Sequence, residues 1–206
     1  MFRPCRDRSV AGMSSDLRPG PDSPPTDELQ SAEASLGVLQ QVLHTIAADD
    51  RAKQTPCTEY DVKGLTGHLL NSIMVLGGMV GAEFSMREDT DSVERLVIGA
   101  ARPALDAWHR HGLDGEVSLG PGSMSARVAV SVFSIEFLVH AWDYATAVGS
   151  DVRVADSLAE YVLELARTLI KPHERSAAGF DAPVELPDHA SALDRLVAFT
   201  GRNPAR

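Results

Sequence analysis

Cysteine is scarce in this chain of 206 residues, with Cys5 and Cys57 the whole supply. So few thiols exclude a disulfide-stapled scaffold and fit a reducing compartment, so a cytoplasmic location is expected. A bond between the two is not expected, because Cys5 falls in a segment that reads as a tail. Basic side chains are also few: 19 Lys and Arg against 29 Asp and Glu, for a net charge of −10. Nucleic-acid binding requires clustered Lys and Arg to neutralise phosphates, and the short group Arg3, Arg6 and Arg8 makes no basic stripe. No nucleic-acid partner is therefore expected. Long apolar runs are missing too. The longest, Val128 to Ala141, is interrupted by Glu136 and His140 and falls short of the roughly 18–20 residues of a membrane span, so no membrane partner is expected either. The basic N-terminus lacks the apolar stretch of a secretory signal.

What the chain does contain suits one domain with a sizeable core. Residues 1–26 read as a disordered extension, because Arg18-Pro19-Gly20-Pro21-Asp22-Ser23-Pro24-Pro25 cannot hold a helix or strand interior. Met13 inside it offers an alternative start. Residues 27–204 read as a single helical domain. Leu29, Ala32, Leu36, Leu39, Val42, Leu43 and Ile46 recur at helical spacing and predict a first helix over 27–49, with Thr26 as N-cap. A second helix starts near Asp61 and carries five glycines between Gly64 and Gly81, which close packing must offset. A third is expected over 92–111. A Gly-rich loop over 112–125 follows, with a short extended piece at Glu116-Val117-Ser118-Leu119. A fourth helix runs over 125–148 and ends at Gly149, a fifth covers 155–170, and a short last one spans 191–200. The fold class is accordingly all-α. The expected architecture is an up-and-down four-helix bundle with one long crossover, placed between helices three and four, plus an additional C-terminal helix.

Within the fourth helix, Glu136 and His140 stand four residues apart, so both project from one face. The surrounding Val130, Phe133, Phe137, Val139 and Trp142 make most of that helix apolar. Ionisable groups in such a setting are costly unless paired or metal-bound. His68, at the edge of the apolar face of the second helix, is the best third ligand. Two histidines and one carboxylate form an open, catalytic type of zinc site. They also accommodate nickel, manganese or iron(II). The spacing alone equally permits a buried Glu–His ion pair. His44, His109, His111, His173 and His189 are poorer ligands by position.

Three blocks of residues resemble a known family. They are Thr55-Pro56-Cys57-x-x-Tyr60-Asp61-Val62, then Gly67-His68-Leu69, then Glu136-x-x-x-His140-Ala141-Trp142-Asp143-x-Ala145-x-Ala147-x-Gly149. Their order is similar to that in actinobacterial metal-binding proteins related to mycothiol-dependent maleylpyruvate isomerase, within the DinB-like superfamily. The closing Phe180-Asp181-Ala182-Pro183-Val184 and Asp194-Arg195-Leu196-Val197-Ala198-Phe199-Thr200-Gly201-Arg202-x-Pro204 resemble a short subgroup of it. The likeness covers roughly residues 29–204. It implies a DinB-like four-helix core with a divalent metal, usually zinc, on His68, Glu136 and His140. It further implies mycothiol as a cosubstrate whose thiolate attacks a small electrophile. The isomerase itself has a separate C-terminal domain, whereas the residues after Gly149 here read as one helix and a tail, so a generic thiol transferase or another metal-dependent activity is a better expectation than maleylpyruvate isomerisation.

Around the ligands, Asp143 suits a bond to a histidine ligand or to an Arg on a neighbouring helix. Trp142 is expected to pack in the core. Arg127, on the same helix, could face an anionic substrate, although a solvated helix start fits it better. Cys57 reads as a packing residue rather than a redox thiol. The alternative to a thiol-dependent metalloenzyme is a non-enzymatic metal-binding or stress-response bundle. A dimerisation module through Gly77 and Gly81 is a further reading, so the chain is expected to be a monomer or a homodimer.

Overall fold

The computed structural model describes residue 20 and residues 22–85, 91–175 and 179–205. Its helices are α1 (Glu28–Leu43), α2 (Val62–Gly78), α3 (Val93–His111), α4 (Ala126–Val148), α5 (Asp156–Leu169) and α6 (Ala192–Phe199). A 3-10 helix at Ala48–Ala52 joins α1 to α2, and a hairpin of β1 (Glu116–Leu119) and β2 (Gly122–Ser125) joins α3 to α4. Most of the segment expected to form an N-terminal extension, residues 1–19 and 21, lies outside the described residues, as do Cys5 and Met13.

Polar caps start nearly every helix. Asp27, Asp61, Ser92, Ser125 and Ser191 each accept a hydrogen bond from the backbone three residues on, at 2.7–3.2 Å. The cap of α1 is therefore Asp27 rather than Thr26, whose N–H instead donates to Gln30 Oε1 at 2.6 Å. That helix also stops earlier than its apolar stripe suggests. The Thr45 hydroxyl donates to Val42 O, and Ile46 N to Leu43 O, which tightens the last turn. Ala47 N then bonds Asp50 Oδ2 and opens the 3-10 helix.

The hairpin corrects the all-α expectation to a mainly helical fold. Glu116–Leu119 pairs antiparallel with Gly122–Ser125, in the register Glu116 to Ser125 and Leu119 to Gly122. Gly120, at φ 57°, supplies the left-handed turn residue, and the Ser123 hydroxyl donates to Glu116 Oε2 across the pair. The one sequence signal for β2 is glycine and serine, which reads as loop.

Helices α1 and α4 form the most extensive packed pair. Among the described residues, α4 also meets α2 and α5, α3 meets α1 and α2, and α6 rests on α5. The ring of neighbours is thus α1–α4–α2–α3. Both α1 to α2 and α3 to α4 span it diagonally, so the single crossover expected between helices three and four has a companion. At the centre lies α4. By length and composition it could cross a membrane, yet most of it is buried inside the domain. Val130, Phe133, Phe137, Leu138 and Tyr144 on it are fully buried. Polar ties then fix the helices around it. The Trp108 indole N–H of α3 donates to Leu76 O of α2 at 3.1 Å, and Tyr144 Oη lies 3.0 Å from Thr66 Oγ1.

The glycines at the end of α2 and just after it play different parts. A Cβ on Gly77 would stand 2.8 Å from Ala104 Cβ and 2.9 Å from Phe84 Cζ, so its bareness lets α3 approach. Gly81, at φ 73°, serves the turn after the helix. Both glycines invoked for a contact between chains thus have a reason within this one. Gly78 meets nothing within 4 Å. Gly77→Ala is expected to cost about 1–3 kcal/mol by overpacking. Its neighbour Gly78→Ala should gain about 0.5–1 kcal/mol from reduced backbone entropy. Urea midpoints of the two variants should therefore move in opposite directions, and equal shifts would contradict this packing.

Candidate metal centre

Two helices bring three ligand-type side chains together. Helix α2 supplies His68, and α4 supplies Glu136 and His140. One nitrogen from each ring and one carboxylate oxygen all lie within 4.8 Å of one another. His68 Nε2 is 3.2 Å from Glu136 Oε2, and His140 Nε2 is 3.7 Å from the same oxygen. Ligand atoms each about 2 Å from one tetrahedral ion stand roughly 3.3 Å apart, so the observed spacings bracket that value.

The local sequence explains the placement of His68. Asp61 caps α2 and fixes its start two turns upstream. A Cβ on Gly64 would come within 3.2 Å of both Tyr60 Cδ1 and Asp61 Oδ1, so this bare position lets the preceding loop lie along the helix. That loop is held by Thr55, whose hydroxyl donates to Tyr60 O at 2.7 Å. Tyr60 then stacks on the His68 ring, with centroids 5.4 Å apart and planes at 27°. The two histidine rings meet edge to face at 5.3 Å.

His140 is oriented from behind. Its Nδ1 lies 2.8 Å from Asp143 Oδ2, one turn along α4, which leaves Nε2 to face Glu136. Asp143 is fully buried and in turn receives Arg202, with Nε to Oδ1 at 3.2 Å and Nη2 to Oδ2 at 2.8 Å. Burial pushes the Asp143 carboxyl up, but the His140 bond and the Arg202 charge outweigh it and hold it below the usual carboxylate range.

Glu136 shows the same balance. Burial raises its pKa, while the His68 contact and the charges of His140 and His68 bring it below its ordinary value. His68 moves up, chiefly through its contact with the Glu136 carboxylate, against the opposing effect of burial. Yet Glu136 Oε2 is buried without a properly directed hydrogen bond. The His68 nitrogen is near it but is not aligned to donate. An orphaned carboxylate oxygen between two converging imidazole nitrogens fits a cation better than it fits a hydrogen-bond network. Side-chain exposure falls from 33 % at His68 to 17 % at Glu136 and 6 % at His140, so the accessible side of the cluster is that of α2.

The remaining residues singled out by sequence are not among the three converging ligand-type side chains. Arg127, half exposed, donates to Glu28 Oε2 at 2.6 Å in the first turn of α4. Nine residues before Glu136, it is displaced by about 13–14 Å along the axis and is not brought to the site. Trp142 is half-buried rather than in the core. It lines a cavity of about 540 Å³ together with Thr146, Asp181 and Arg202. Two helical positions past His140, it points about 200° away around the axis. His44 pairs with Glu94 and His109 with Glu33, both on the surface. Cys57 is a free, half-buried thiol whose pKa is pushed up by burial, so it is no ready nucleophile. It lines a second cavity, of about 280 Å³, with Glu59, Phe180, Asp181 and Arg202.

Sequence reasoning did not single out Tyr60 or Arg202 as site residues. For Tyr60 the available signal was its place in the first resemblance block, just before a helix cap. For Arg202 it was its place, after Gly201, in the closing block that resembles the family.

No family model matches the chain, and no solved structure matches it. Two proteins of Mycobacterium tuberculosis are similar to it: the uncharacterized protein MT0763 of strain CDC 1551 / Oshkosh and the uncharacterized protein Rv0738 of strain ATCC 25618 / H37Rv. Each is 25 % identical over 178 residues, a stretch covering 85 % of this chain and 98 % of the relative.

Proposed function

We propose that this chain is a DinB-like four-helix metal-binding bundle. In this reading a divalent ion, zinc in the first instance, prepares a small-molecule thiol for reaction with a small electrophile. The observation that carries the reading is the convergence of His68 Nε2, His140 Nε2 and the orphaned Glu136 Oε2. The family resemblance of the same residues supplies mycothiol as the thiol and a transferase or isomerase as the class. Scarce cysteine suits a cytoplasmic setting for such chemistry.

A bound divalent ion would lower the pKa of a coordinated thiol and hold thiolate near neutral pH. The chain's own residues do the rest. Asp143 keeps the proton of His140 on Nδ1 and so presents the Nε2 lone pair. Glu136 contributes one negative charge, which leaves net positive charge to attract a thiolate. Buried α4 closes one side of the site to water, while half-exposed His68 and its stacked partner Tyr60 border the other. Two histidines and one carboxylate leave coordination positions free, and His44, the one further histidine considered for closing the set, is engaged with Glu94. That favours a reactive site over a purely structural one.

Elemental analysis of untagged protein should find close to one equivalent of divalent metal, and little in His140→Ala. Equal metal contents in the two would remove the site. Cobalt-loaded protein titrated with mycothiol should develop a sulfur-to-metal charge-transfer band. A loaded protein that gives no band, with mycothiol or any simpler thiol, would leave metal binding without the thiol chemistry.

Acidity provides a third test. His68 has a folded pKa above its ordinary 6.5. In metal-free protein its pairing with Glu136 is then fully stabilising below about pH 6.5 and is lost as pH rises through the raised value. Metal binding runs the other way, because the ligand nitrogen must be deprotonated, and it weakens as pH falls through that same value. The gap in Tm between zinc-loaded and metal-free protein should therefore widen as pH rises from 6 to 8. A gap that stays constant over this range would contradict the assignment of His68.

A further inference from the structure

The C-terminal segment ends in a cap that aims one side chain at α4. Past α6, Gly201 N donates to Ala198 O and Arg202 N to Val197 O, both at 3.0 Å, which is the bond pattern of a Schellman motif. Gly201 sits at φ 92°, and a Cβ there would stand 2.6 Å from Asp181 Cβ. This position therefore admits only glycine, for both conformation and space. The next residue, Arg202, is buried to 9 % exposure. Its guanidinium grips both oxygens of Asp143, 59 residues away, and its third nitrogen, Nη1, donates to Thr200 O at 3.2 Å. Asp143 Oδ2 is also the atom that meets His140 Nδ1.

Resting on the metal-site reading above, we propose that Arg202 is a positioning residue of the metal centre. Acting through Asp143, it holds His140 with Nε2 presented to the ion, so the docked C-terminal segment completes the site.

Without Arg202 the fully buried Asp143 would keep a charge with no full counterion. Such a carboxylate recruits water or turns away, and either outcome frees the His140 ring to reorient. Planar two-point contact is what an arginine supplies and a lysine does not. Arg175, in the same segment, provides a control. It bonds Asp181 O and Phe199 O and stacks on the Phe199 ring at 4.9 Å, so it braces the segment without a recorded contact to Asp143.

The test measures zinc affinity by chelator competition in full-length protein, for the wild type and for Arg202→Gln, Arg202→Lys, Asp143→Asn and the double variant Arg202→Gln/Asp143→Asn. Partners that orient a metal ligand typically contribute about 10–100-fold in affinity. Arg202→Gln should lose affinity in that range, Arg202→Lys should recover part of it, and the double variant should lose no more than Asp143→Asn alone. Arg175→Ala, which loosens the segment without removing the guanidinium from Asp143, should lower Tm and cost less affinity than Arg202→Gln. Wild-type affinity in folded Arg202→Gln, or additive losses in the double variant, would overturn the proposal while leaving the metal site standing. Nitrogen-15 spectra of the His140 ring in metal-free protein give a readout that needs no ion. The wild type should show the Nδ1–H tautomer alone and Arg202→Gln a mixture, whereas identical spectra would overturn the proposal even if no metal binds.

Discussion

Burial of three ionisable groups on the central helix is the constraint around which this fold is organised. Glu136, His140 and Asp143 fall within two turns of α4, with side chains 17 %, 6 % and 0 % exposed. An isolated charge in such a place costs several kcal/mol even after relaxation. Each carboxylate is therefore met from outside its own helix. Arg202 comes back from the end of the chain to Asp143, and His68 comes across from α2 to Glu136. His140 stands between and touches both. The charge balance is then two carboxylates against one guanidinium, which leaves one negative charge for the two imidazoles and whatever they hold.

That residual charge links the acid–base behaviour of the cluster to its proposed ion. In metal-free protein the charge favours a proton on His68, and the rise in its pKa expresses this. On the proposed reading a divalent ion would answer the same charge and would need the same nitrogen free. Proton and ion thus compete for one place. A proton on His68 offsets that charge only in part, and Glu136 Oε2 remains without a well-directed hydrogen bond.

Local signals in the sequence carried most of the architecture. Ser92, Asp61 and Gly149 mark helix ends that the structure places at or beside those residues, because capping is a contact over three or four residues. The end of α1 was misjudged because its apolar period runs on to Ile46 after the backbone has left the helix, and a period says nothing of the Thr45 hydroxyl that tightens the turn. Strand β2 was invisible, since Gly122-Ser123-Met124-Ser125 has no apolar alternation. In the site, Glu136, His140 and Asp143 were legible as spacings of three and four on one helix. The pairing of Arg202 with Asp143 was not, because 59 residues of chain separate them and only the folded path of the C-terminal segment shows that they meet. Arg127, for which a solvated helix start fitted better than a substrate contact, stands exposed in the first turn of α4 and pairs with Glu28.

The gradient of exposure across the cluster also fixes the direction from which chemistry can enter. His140 is locked on the α4 side by Asp143, and Asp143 by Arg202, so that side is closed by charge pairs as well as by apolar packing. His68 alone of the three is appreciably open, and Tyr60 lies against its ring. On the proposed reading, an incoming thiol therefore reaches the ion past His68 and the loop from Thr55 to Asp61. This assigns unequal duties to the two histidines. On that reading His140 would hold the ion to the scaffold. His68 borders the open face, and a change at Tyr60 or Gly64 acts on reactivity through His68 without touching the Arg202–Asp143–His140 chain that anchors the other side.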